Sequence, residues 1–534
     1  MSISRTLLLA STLIPLAACG ADDIASPGEG VIIVPAPAPA PAPTPTPTPP
    51  TTGGPFTGAT PAGFVDRGVV GGRRVFEMPA RFTQDTTIQS LPGAVYQIAG
   101  PVNVGSDVGG DGTAAGGQSV TLTIQPGTIF VATDGTSYLV VNRGSRLNAV
   151  GSASQPIIFT ADEQVNGTVS DSSQGLWGGI ILLGRAPISD CNSSVAGGTA
   201  QCQNVIEGTT ASLYGGNQPN DNSGSLRFVQ IRYSGLVIAP GNELQGLTMG
   251  GVGQLTTVDH VQVHNSSDDG IEIFGGRVNT KYLAITGADD DSLDTDLGYR
   301  GTAQFVVAVQ RDTNNGDSMI EADSNGNEDA LPRQYTRVAN ATFVQRSTVQ
   351  GGNAILLRGG TDYALINSIV TGPTACIDID SANTVRAADA TLQDLGPPVF
   401  RSVVLACPTA FRSDNDVSPD TIATIFGTGT NNNNSAFTIS LTSVFVNGAN
   451  ETAVTATDPT TFNADIYANG PYGTGGTAFT GQPNGAAPNR LENAPFIGAV
   501  RNAQDTNFAG WTCNASYVSF GSTSGNCTAL PAIS

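Results

Sequence analysis

The chain has 534 residues, 44 Asp plus Glu against 23 Lys plus Arg, and a formal net charge of −21. That balance excludes a nucleic-acid binder, which needs a basic footprint. Lys281 is the single lysine. Charged residues are only 13% and hydrophobic residues 39%, with 66 Gly and 33 Pro, which excludes a disordered chain and argues against a helical bundle.

The first residues read as an export address. Arg5 precedes an apolar run ending at Leu16, and Leu16-Ala17-Ala18-Cys19 follows. A charged start, a short apolar region and small residues before a cleavage point define a signal peptide, here 1–18. Leu-Ala-Ala-Cys resembles the bacterial lipobox, which predicts cleavage before Cys19 and lipidation of its thiol and amine. Several acyl chains on one residue give an anchor that one chain cannot. Gly20 at the next position matches outer-membrane sorting in enteric bacteria. Residues 19–55 then form a tether. Pro35 to Pro50 alternates Pro with Ala or Thr, which favours polyproline II and a reach of roughly 50 Å.

Cysteine usage agrees with an oxidising compartment. Setting Cys19 aside leaves six. An even number in an exported chain predicts disulfides. The favoured set is sequential, Cys191–Cys202, Cys376–Cys407 and Cys513–Cys527, because each closes a short loop rich in Gly, Asn and Thr.

Residues 56–534 read as one β-rich domain. Val120 to Ile124, Thr128 to Val131, Tyr138 to Val141 and Pro156 to Thr160 are short strands between Gly, Asp and Pro turns. A repeat then appears. Val261 to Ile273 recurs as Leu283 to Thr295, 22 residues on, and more loosely from Phe305 to Asp323. A period of this size predicts a right-handed parallel β-helix with three short strands per turn, an all-β three-sheet solenoid with loop insertions. A sandwich is the alternative. Asn and Gly are expected at the corners. Ser189 to Ser225, Arg412 to Asn434 and Asn469 to Pro488 read as loops leaving the stack. Trp177 and Trp511, the only tryptophans, are expected in core packing or end-capping.

Aligning the repeats puts Ile271, Leu293 and Ile320 inward and Glu272, Asp294 and Glu321 at one outward position. Asp296 and Asp323 stack two residues on, and Asp268-Asp269 stacks on Asp290-Asp291. Parallel strands lie about 4.8 Å apart. Like charges at that spacing repel unless protonated, solvated or bridged. Asp268, Asp290, Glu272, Asp294, Asp296, Glu321 and Asp323 are therefore candidate ligands for a hard cation, with Ca²⁺ the expected one. A solvated acidic face with Asp in turns is the competing reading. If the chain is an enzyme, Asp268, Asp269, Asp290 and Asp291, with His264 and Arg300 nearby, are the candidate acid–base groups. Arg277 and Arg358 are further neighbours.

Several segments carry a resemblance. They include Gly175 to Gly184, beginning Gly-Leu-Trp-Gly-Gly, and Leu226 to Gly235, Leu-Arg-Phe-Val-Gln-Ile-Arg-Tyr-Ser-Gly. Asn242 to Leu247, His264 to Gly276, Asp294 to Gly301, Pro495 to Val500 and Gly510-Trp511-Thr512 complete the set. Over roughly residues 75 to 515 the chain resembles bacterial outer-membrane lipoproteins with a pectin-lyase-like β-helix, related to leptospiral surface lipoproteins. The resemblance implies an outer-membrane, lipid-anchored location and binding or uptake, in some members beside a TonB-dependent receptor. It carries over no catalytic residue. The expected function is a non-catalytic envelope protein that binds a polysaccharide, a cation or an outer-membrane receptor. The alternative is a Ca²⁺-dependent polysaccharide lyase or glycoside hydrolase. A groove holding the acids beside an Arg favours the alternative; a flat, open face favours binding.

Overall fold

The computed structural model describes residues 53–239, 241–311, 316–324, 326–348, 352–413, 416–464 and 487–533. The export signal, Cys19, the Pro-rich run and nearly all of the segment from 469 to 488 lie outside the described residues.

Each turn of chain lays new strands in parallel against the turn before. Gly224–Arg232 pairs with Thr257–His264, which pairs in turn with Asn279–Thr286, Thr302–Val309 and Tyr335–Val344. Between them, Leu247–Gly250 pairs with Ile271–Phe274, then Leu293–Asp296, Ile320–Ala322 and Asn353–Leu357. The ladders form one 17-stranded and one 11-stranded sheet. The larger sheet bends. Its strand Gly224–Arg232 pairs with Arg146–Val150 before the bend and with Ile157–Ala161 after it. Three faces therefore enclose the core, as expected for a parallel β-helix.

The bend falls at one left-handed residue per turn: Phe228, His260, Tyr282, Phe305, Asn340 and Asn367, with φ of 50° to 60°. The expectation of Asn and Gly at corners holds for only part of this column. A bulky residue at positive φ is disfavoured. Here the four rings stack outside the corner, with centroids 4.5, 4.4 and 4.7 Å apart. The returning C-terminal segment covers them with Phe508 and Trp511.

Inside, apolar residues stack turn on turn. Phe76, Tyr96, Phe130, Phe159 and Trp177 form one continuous column. Both tryptophans are fully buried, and the Nε1–H of Trp177 donates to the Arg232 carbonyl at 2.8 Å. The three disulfides are Cys191–Cys202, Cys376–Cys407 and Cys513–Cys527, the sequential set. One insertion differs from its reading as a loop. Residues Pro419–Phe426 form a helix whose N-cap Ser418 hydroxyl accepts from the Thr421 N–H and whose first position is Pro419. Its apolar side chains Ile422 and Phe426 pack into the main core beside Phe400 and Phe411.

Candidate functional site: a buried carboxylate ladder

Strict alternation on the 11-stranded sheet sets the site. Ile271 faces Leu293 and then Ile320 along the core side. The next residue of each strand points the other way, so Thr248, Glu272, Asp294 and Glu321 stand in one column. At the preceding corner the Asp291 N–H donates to Asp269 Oδ1 at 2.8 Å, and the Ser318 N–H donates to Asp291 Oδ1 at 2.6 Å. At the far end of the strands the Asp323 N–H donates to Asp296 Oδ1 at 3.1 Å. The turn-to-turn stacking of the acids is thus the register expected from the repeat.

Their exposure is not what a solvated face requires. Asp269 and Glu272 are 6% exposed, Asp291 3% and Asp294 9%. Asp290 is exposed, and Asp296, Glu321 and Asp323 are half-buried. The reading of a solvated acidic face is therefore corrected. The cause is the insertion after Leu183. Ile188, Ile206 and Tyr214 lie over Ile181, Leu183 and Phe274 on the outside of the sheet. Asn204–Val205 and Leu213–Tyr214 pair as a small hairpin within it. A second hairpin, Leu236–Ala239 with Asn242–Leu244, stands beside it. The Gly208 N–H donates to Asn242 Oδ1 at 2.9 Å and joins the two. Gly208 has φ +68°, and a Cβ there would lie 2.2 Å from a Leu244 methyl, so only glycine permits this close approach.

The two excursions bring in groups that the repeat does not contain. Glu207 reaches Glu272, and Glu243 adds charge near Asp268 and Asp290. Gln245 Nε2 donates to Glu207 and, at 3.3 Å, to Asp268 Oδ2. At the other end Arg358 pairs with Glu321 and, at 3.0 Å, with Asp323. Its side chain is 45% exposed.

Burial and mutual repulsion act together here. Burial first, and neighbouring acids second, push Asp269, Glu272, Asp291 and Asp294 well above the usual carboxylate range. The same causes raise Asp268 and Asp296 to about 8. Asp269, Glu272 and Asp294 each place one carboxylate oxygen within 4.8 Å of the others. Glu272 Oε2 and Asp294 Oδ1 are buried without a hydrogen-bond partner. An unsatisfied buried oxygen costs roughly 1–3 kcal/mol, more if charged. Three carboxylates with converging oxygens, two of which also carry a buried oxygen with no partner among the described residues, fit a cation of the Ca²⁺ type.

The remaining expected partners lie elsewhere. His264 was expected beside the acids. It belongs to the other sheet and is fully buried. Its Nδ1 lies 2.9 Å from Thr286 Oγ1, and Tyr517 of the C-terminal segment covers its ring. Burial, then Arg232 and Arg311, push it down to about 3, so it neither reaches the ladder nor carries charge at neutral pH. Arg300 is buried, and its Nη1 donates to the Arg333 carbonyl and to Gln393 Oε1. Arg277 is also buried and donates to the Gly276 carbonyl. Of the expected arginines, Arg358 is the one ion-paired with the ladder. His260 stands in the aromatic corner column.

The architecture and this recess define a parallel β-helix with a covered acidic face. The chain belongs to the pectate-lyase-like β-helix domain family, whose model matches residues 96–463. No curated protein and no solved structure matches it.

Proposed function

We propose that the protein is a lipid-anchored component of the bacterial outer membrane, held through Cys19, and that its ladder holds Ca²⁺ and binds an anionic polysaccharide without cleaving it. The observation that carries this reading is the trio Asp269, Glu272 and Asp294, each with one oxygen converging on the others, in which Glu272 Oε2 and Asp294 Oδ1 are buried with no partner among the described residues. Ca²⁺ takes 6–8 oxygen ligands, so three carboxylates leave positions for uronate oxygens from a polymer. Asp290, which is exposed, and Arg358, 45% exposed, mark where a polymer would reach the covered trio.

The acids are engaged with one another rather than set around an open space. Glycoside hydrolases hold their two carboxyl groups about 5–9.5 Å apart around the reacting bond, whereas here Glu207 hydrogen-bonds Glu272 and Asp291 hydrogen-bonds Glu321. The alternative, a Ca²⁺-dependent polysaccharide lyase or hydrolase, is favoured by the acids lying covered beside an arginine rather than on a flat, open face; that arginine, Arg358, is half-exposed. Its two carboxylate partners hold it protonated, which suits positioning of an anion better than proton abstraction.

Co-sedimentation with polygalacturonate and alginate decides between them. Binding is expected with Ca²⁺, lost with chelator, and lost in Asp294→Asn, with no unsaturated or shortened products. Steady release of such products would assign the enzyme. Equal binding with and without chelator would remove the cation from the reading.

A further inference from the structure

We infer that the C-terminal cap carries a second binding site, a cleft that takes an uncharged sugar ring. The cleft has a volume of about 320 Å³ and lies between the turn at 442–446 and the segment 500–523. That is the size class of small-ligand pockets, roughly 300–1,000 Å³. The second segment lies beyond the residues matched by the family model, so this wall is an addition to the shared β-helix.

The lining has two chemistries. The floor is Phe445, Phe508 and Phe520, with ring centroids 5.1 Å apart for Phe445 and Phe520 and 6.3 Å for Phe508 and Phe520. The rim is polar. The hydroxyls of Ser443, Thr506, Ser522 and Thr523 line the cleft and make no hydrogen bond among the described residues. Among the described residues Asp505 is the only charged one of the lining. Its two oxygens accept from the Arg501 and Asn507 N–H groups, each at 3.1 Å, which fixes its orientation. An aromatic floor under a ring of hydroxyls matches a pyranose, which has an apolar C–H face and a hydroxyl edge. One carboxylate and no cation in the lining disfavour an anionic ligand.

The lip of the cleft is strained, which is an independent observation. Thr442 and Val446 exchange backbone hydrogen bonds of 2.8 and 2.9 Å across a three-residue turn, Ser443 to Phe445. Two of the three turn residues have positive φ, Ser443 at 48° and Val444 at 79°. A β-branched residue at positive φ is a true outlier, and such strain gathers at binding sites. The turn holds the Ser443 hydroxyl over the floor, while the Asn447 N–H donating to the Val500 carbonyl ties its base to the opposite wall.

Saturation-transfer NMR on the full chain, with neutral hexoses and N-acetylhexosamines as probes and chelator present, tests the site. Transfer to the ring protons of at least one probe is expected. It should fall at least about tenfold in Ala503→Trp and in Ser522→Trp, which fill the cleft from its exposed rim. It should persist in Asp294→Asn, so that failure of the carboxylate reading leaves this result untouched. No transfer to any probe, or transfer unchanged in both filling variants, would overturn the inference.

Discussion

Asp294→Asn is expected to melt at a higher temperature than the wild type without divalent cations, and at a lower one when Ca²⁺ is saturating. Asp294 sits between Glu272 and Glu321 in the column. Two unit charges about 5 Å apart repel by roughly 3 kcal/mol at an effective dielectric near 20. Partial protonation reduces this, so removing one charge should stabilise the cation-free protein by about 1–2 kcal/mol. Ca²⁺ at a hundred times its dissociation constant should add about 2.7 kcal/mol to the wild type. The variant lacks one of three ligands and gains little of that. The two melting curves should therefore exchange order on addition of Ca²⁺, a crossing of several degrees in differential scanning calorimetry. A variant less stable under both conditions would mean that the Asp294 carboxylate serves ordinary packing.

The second large effect is a dependence on pH. Cation-free protein is expected to lose stability as pH rises from about 4 to about 8, the reverse of most proteins over this range. Asp268 and Asp296 are raised to about 8 by burial and neighbouring acids, against about 4 in the unfolded chain. Between those values the folded state holds more protons than the unfolded state, so stability falls with pH. The contribution is complete below about pH 4 and gone once pH passes about 8. A tenfold change in proton affinity is about 1.4 kcal/mol, so these groups together amount to several kcal/mol. Saturating Ca²⁺ should flatten the slope, because the bound cation replaces the protons. Urea midpoints at successive pH values, with and without Ca²⁺, measure it. A cation-free midpoint that rises between pH 5 and 8 would contradict the burial of these acids.

Much of this was legible in the sequence, for a physical reason. A parallel β-helix repeats its alternation each turn, so Ile271, Leu293 and Ile320 could be aligned. Their neighbours Glu272, Asp294 and Glu321 then had to share a column. The disulfides were legible because each closes a local loop. What covers a face was not legible. Glu207 lies in an insertion without repeat phase, so nothing in the pattern connects it to Glu272, 65 residues later. The same insertion turns an apparently solvated row of acids into a buried one. His264 does stand on the outer side of its strand, but the C-terminal segment returns over that face and buries it behind Tyr517. That contact joins residues 253 positions apart. The aromatic corner column was not legible, because Phe228, His260, Tyr282 and Phe305 occupy a backbone conformation that rings ordinarily avoid.

Occupation of the ladder by a divalent cation can be observed in a crystal. Crystals grown with Ca²⁺, measured at a wavelength where calcium scatters anomalously, test it most directly. An anomalous peak bound by Asp269, Glu272 and Asp294 is expected, with no peak there in crystals of Asp294→Asn. A well-ordered wild-type structure at saturating Ca²⁺ with no peak at those three carboxylates would contradict it.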